Sequence, residues 1–180
     1  MNRPDPTRPG AAAADPHRRT WAVEKNLTDR AEAEQVCAAV LMVLEPALHS
    51  ASLDVISDFP DLMPDDVRAA EATLLLLARR EQQHTWLDLP ATASAWPAFK
   101  TYASWSIDVD LYGQDGTLLG GFHDCGYSIT AELTDSEAHE LQQRIQPVSA
   151  VRPPAEIHAK HRSERRARRR ARLRQWLPGH

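Results

Sequence analysis

The sequence predicts an α+β fold: an antiparallel three-stranded meander covered by two main helices plus a short C-terminal helix, with disordered N- and C-terminal tails. Three observations carry that prediction. From Ser104 to Leu133, apolar residues alternate with polar ones in three runs separated by turn residues, the period of strands with one buried face. Upstream, two stretches repeat apolar residues at helical spacing. Beyond these, both ends of the chain lack any hydrophobic period, so neither can bury enough apolar surface to offset the entropy of ordering it.

Residues 1–25 are rich in Pro, Ala, Arg and Asp and are expected to be disordered. The folded domain is expected over residues 26–147. Its first helix begins near Thr28 or Asp29, where Asp29 and Glu32 have capping-box spacing, and Ala33, Val36, Cys37, Val40, Leu41, Leu44 and Leu48 share a face. That pattern runs to about Ser50, although Pro46, which has no N–H to offer Met42, predicts a kink or an early stop. Leu53 to Met63 is an apolar connector without an assignable period. Pro64, with Asp65 and Asp66 behind it, opens the second helix, and four consecutive leucines, Leu74 to Leu77, predict that it is the central core helix. Pro90 to Pro97 connects it to the meander, with Trp96, Phe99 and Tyr102 as packing anchors.

In the meander, Trp105, Ile107, Val109 and Leu111 form the apolar face, and Gly113 to Gly116 supply the reversal. Thr117 to His123 runs back, Asp124 to Gly126 turns again, and Tyr127, Ile129, Ala131 and Leu133 face inward in the last strand. Thr134 and Glu137 then cap a short helix carrying Ala138, Leu141 and Ile145, stopped by Pro147. Residues 148–157 read as a linker and residues 158–180 as an Arg-rich basic tail.

The net charge of −4 conceals two opposed blocks. Residues 1–150 hold 11 Lys and Arg against 23 Asp and Glu, a net −12, whereas residues 151–180 hold 10 against 2, a net +8. Such asymmetry points to a tail with its own partner. Arg162, Arg165, Arg166, Arg168, Arg169, Arg170, Arg172 and Arg174 place eight guanidinium groups within thirteen residues, each able to grip a phosphate in bidentate fashion. They would encircle any helix formed there, so the tail is expected to stay free until a polyanion orders it. Nucleic acid bound without sequence preference is the first expectation. Two alternatives stand beside it: the tail folds back on its own acidic body, or it is a solvated charge run. A second function reading makes the acidic body a partner-binding module, an inhibitor or immunity-type protein for a basic partner.

A third reading, a metal-dependent phosphoryl or nucleotidyl transferase, rests on Asp108 and Asp110, which share a strand face and have the spacing to hold a divalent cation between them. A calcium loop starting at Asp108 would need oxygen ligands where Tyr112 and Leu119 stand. The pair also resembles the D-x-D strand of nucleotidyltransferases, but the Gly-Ser turn that precedes that strand is missing, and a solvated sheet face is the simpler reading. His123, Asp124 and Cys125 bring imidazole, carboxylate and thiol together in sequence, yet neighbours on a strand point to opposite faces. No Walker A, G-x-S-x-G, H-E-x-x-H or G-x-G-x-x-G pattern occurs, so no cofactor is called for and an enzyme is not the favoured class. Two widely spaced cysteines, no secretory h-region and an apolar run of nine residues at most, Val36 to Leu44, predict a cytoplasmic protein that does not enter a membrane.

Overall fold

The structure is a computed structural model that describes residues 17–24, 27, 29–81 and 84–176, with residues 168–176 described by backbone alone. The elements run β1 (Arg19–Val23), α1 (Arg30–Leu44), β2 (Leu48–Asp54), α2 (Asp65–Arg80), β3 (Trp86–Pro90), α3 (Trp96–Tyr102), β4 (Asp108–Gly113), β5 (Leu118–His123), β6 (Ser128–Leu133), α4 (Asp135–Ile145), β7 (Val151–Arg152) and α5 (Pro154–Trp176). One seven-stranded sheet has the order β3-β2-β4-β5-β6-β1-β7, and every neighbouring pair is antiparallel. The class is α+β, as the sequence predicts. The architecture is not a three-stranded meander: among the described residues, β4-β5-β6 is only the middle of a sheet that gains four further strands and is accompanied by five α-helices.

Each added strand overturns a particular expectation. β1 lies within residues 1–25, the segment expected to be disordered, and pairs Trp21 with Ala131 and Thr20 with Glu132. β2 begins within the last residues expected of the first helix, Leu48 to Ser50, and runs into the expected Leu53 to Met63 connector. α1 stops at Leu44, and Leu48 is already in a strand, because Pro46 cannot extend the helical hydrogen-bond ladder. β3 fills the gap before the Pro90 connector, and β7, in the expected linker, pairs Val151 with Val23. Residues 158–176 of the C-terminal tail are helical rather than disordered, since Ala and Arg are among the strongest helix formers. Trp105 lies in a 3-10 turn ahead of β4, buried all the same.

Alternation sorts the sheet into two faces. Val109 and Leu111 on β4, Ala51 and Leu53 on β2, Leu87 and Leu89 on β3, Phe122 on β5, and Ile129, Ala131 and Leu133 on β6 are buried, in one cluster with residues of α1, α2, α3 and α4. Those four helices therefore cover a single face. α1 packs its buried Val36, Val40 and Leu44 at the centre, with Asp29 as N-cap accepting the Ala31 N–H at 2.8 Å. α4 has the predicted capping box of Thr134 and Glu137. α2 is not the central helix that its leucines predict. Leu74 is fully buried but Leu76 is 52% exposed, because α2 lies against α3 at the β3 end of the layer, with one flank open. Trp96, Phe99 and Tyr102 are the anchors expected, buried on α3 with the Trp96 and Phe99 rings stacked at 4.5 Å.

Candidate functional site

Two surfaces stand out, the basic helix α5 and the face of the sheet that, among the described residues, no helix covers. α5 is rooted at the β7 end of the sheet. Pro153 carbonyl oxygen accepts from Glu156 N–H at 3.0 Å and from Ile157 N–H at 3.3 Å, which starts the first turn, and Arg152 lies 3.8 Å from Glu156. The root itself is Glu24. One carboxylate oxygen takes Arg152 Nε at 2.8 Å and the other takes Lys160 Nζ, so β1, β7 and the second turn of α5 meet at one side chain. Glu24 Oε atoms are largely enclosed, its side chain being 13% exposed. Lys160 above all, then Arg152, holds the carboxyl of Glu24 below the usual carboxylate range.

Beyond that root α5 touches little. Every residue from His158 to Ala167 is exposed. Among the described residues Arg162, Arg165 and Arg166 have no carboxylate partner, so three of the eight predicted phosphate contacts sit on a solvated helix. Arg168, Arg169, Arg170, Arg172 and Arg174 continue on the same helix, and their side chains lie outside the described residues. A helix of 23 residues is about 34 Å long.

The uncovered face is acidic. β2 to β6 contain no Lys or Arg, and their five carboxylates, Asp54, Asp88, Asp108, Asp110 and Glu132, all alternate with inward-facing residues. Asp108 Oδ1 meets His123 Nδ1 at 2.8 Å across the β4-β5 pair. Tyr112 donates its hydroxyl to Asp110 Oδ2 at 3.1 Å, and burial, then the Asp110 charge, pushes that phenol up to about 12. Ser52 bonds to Asp88, and Thr20 donates to Glu132 at 2.5 Å. At the centre, Gly121 leaves a floor without a side chain: a Cβ there would lie 3.3 Å from His123 Nε2 and 3.4 Å from Asp110 Oδ1.

No family model, curated protein or solved structure matches the chain. The reading of function therefore rests on the residues themselves.

Asp108 and Asp110 do share a face, as predicted, but each is bonded to a neighbouring side chain. Among the described residues no three His, Cys, Asp or Glu side chains converge as a metal would need. His123, Asp124 and Cys125 are not brought together. His123 lies on the open face, Asp124 in the turn, and Cys125 is buried, its sulfur 3.4 Å from the Asp58 N–H and 3.7 Å from Ser57 Oγ. Cys37 is also buried, which pushes its thiol up to about 12 and keeps it protonated at neutral pH. No described helix is long and apolar enough to cross a membrane. Sequence reasoning missed Glu24, which falls in the segment expected to be disordered, and the shared face of Asp54, Asp88 and Glu132, which only strand pairing reveals.

Proposed function

We propose that the chain is a non-enzymatic interaction protein that grips nucleic-acid backbones through α5 without reading sequence. The observation that carries this reading is the exposure of Arg162, Arg165 and Arg166 on a helix rooted by Glu24 and otherwise clear of the acidic body. A guanidinium fork matches two phosphate oxygens, and a preformed helix presents its forks without first ordering a coil. Phosphate contacts give affinity that depends steeply on salt and little on base sequence. The acidic strands repel the same polyanion, which confines it to the helix.

Fluorescence anisotropy with labelled duplexes of unrelated sequence tests the proposal on the full chain. If five to eight phosphates are neutralised, log affinity against log salt has a slope of about −4 to −7, at about −0.9 per contact. Replacing Arg168, Arg169 and Arg170 with Ala makes the slope shallower by about 2.7. Undiminished binding after all eight arginines of 162–174 are replaced by Gln, or no binding by the native chain at about 50 mM salt, where such contacts are strongest, overturns it.

A further inference from the structure

The uncovered sheet face and the basic helix are complementary in charge, and we propose that α5 of one copy of the chain docks across the acidic face of a second copy. The proposal stands on the face, and does not depend on nucleic-acid binding by α5.

The face has the composition such a helix needs. Asp88, Asp108, Asp110 and Glu132 lie on it, with no Lys or Arg on β2 to β6, while Asp54 at the end of β2 has Oδ1 buried. Trp86 on β3 and Tyr112 on β4 share the face, half-buried, and their rings offer a stacking surface to guanidinium groups. The row through Asp88, Ser52, Asp110, Gly121, Thr130 and Ala22 ends at Arg152 on β7, which is paired with Glu24, so the negative charge is concentrated toward β3 and β4, and the His123 and Asp110 side chains flank the buried Gly121. The strands β3, β2, β4, β5 and β6, adjacent in the sheet, span about 19 Å at about 4.8 Å spacing, and the segment from Arg162 to Arg174 extends about 18 Å as a helix at about 1.5 Å per residue.

The chain's own helix is badly placed to fill this surface. Asp88, Asp54, Asp108 and Asp110 lie on β3, β2 and β4, at one end of the strand order, whereas α5 is rooted at β7, at the other. His158 to Ala167 are exposed there. Docking onto a second molecule pairs helix with face, and since these are different patches, the contact is head-to-tail and leaves one copy with a free face and the other with a free helix. Such contacts close into rings or extend as chains.

Sedimentation velocity on nuclease-treated protein, checked by absorbance to be free of nucleic acid, tests this with three full-length chains. They are the native chain, a face variant (Asp88→Asn with Asp110→Asn) and a helix variant (Arg162→Gln, Arg165→Gln and Arg166→Gln), each confirmed folded by its thermal melt. Asp88→Asn alone, at an exposed position, replaces the face variant should the double change not fold. At about 50 mM salt, where charge contacts are weakly screened, the native chain sediments as species larger than the monomer, and at about 500 mM salt as the monomer. Each variant alone associates at least about tenfold more weakly. Mixed at low salt, the two variants form a one-to-one pair, because the face variant still supplies an intact helix and the helix variant an intact face. A native chain that remains monomeric at low salt, or a mixture that associates no better than its components, overturns the proposal.

Discussion

The Arg30 guanidinium reaches from the first turn of α1 to the Cys125 carbonyl, donating from Nη1 across 2.5 Å. Its Nη2 donates to the Ser104 carbonyl at 2.6 Å, and the group lies 4.6 Å over the Trp105 ring. One side chain thus ties the central helix to the approach to β4 and to the β5-β6 turn, where Asp124 and Cys125 both hold positive φ, 53° and 56°. Removing it leaves two carbonyls unpaired beside a strained turn. Arg30→Ala is expected to destabilise the protein by about 2–4 kcal/mol, read from the midpoint of urea unfolding, with Arg30→Lys recovering only part because it cannot bond both carbonyls in a planar fork.

The β4-β5 and β5-β6 turns give a comparison between two glycines of nearly equal backbone angle. Gly116 has φ +76° with nothing within 4 Å of an added Cβ, whereas Gly126 has φ +77° and an added Cβ would lie 2.7 Å from Cys37 Sγ. Gly116→Ala is expected to cost about 1–2 kcal/mol, the penalty of the left-handed region alone. Gly126→Ala adds a packing clash of about 1–3 kcal/mol, and Cys37→Ala introduced with it should recover part of that excess in the same unfolding measurement.

On β4 the two faces respond oppositely to charge. Val109 is fully buried while Asp108 is about half exposed on the open face. Val109→Asp buries an unpaired carboxylate, a cost of several kcal/mol against a total stability of about 5–15 kcal/mol, and should leave little folded protein by circular dichroism. Asp108→Asn changes stability by about 1 kcal/mol or less, because its partner His123 is also solvated.

The Glu24 root gives a pH dependence of definite sign. Its folded pKa lies below the ordinary carboxylate value because of Lys160 and Arg152, so the stabilisation it supplies is complete above that ordinary value, about 4.3, and is lost as the pH falls through the lower folded one. The difference in melting temperature between the native chain and Glu24→Gln should therefore be constant near neutrality and vanish on acidification. Hydrogen exchange of residues 154–160 should be faster in the variant throughout the neutral range.

The parts of the fold visible in the sequence are those whose code is local. The Asp29 and Thr134 caps, the Gly113 to Gly116 reversal and the alternation of β4 to β6 are all written within a few residues of where they act. β1, β2, β3 and β7 are not. RTWAV and LHSASLD contain too few apolar residues to show a period, and they become strands because they pair with segments that are distant in sequence, Trp21 with Ala131 and Leu53 with Val109. The four leucines of α2 misled for the related reason that burial depends on what packs outside a helix. Of the two candidate surfaces, the arginines of α5 are visible as composition. The acidic face is invisible until five residues spread over four strands are placed side by side.

The ends of the strand order also determine how this sheet behaves toward other sheets. β7 is two residues long and passes directly into α5, and β3, five residues long, carries Asp88 and ends in Pro90. Unpaired strand edges invite a foreign strand to add, and shortness, charge and proline are what discourage it. Although seven strands wide, the molecule thus offers poor template for edge-to-edge growth into fibrils, and crowding it in solution should leave its strand content unchanged.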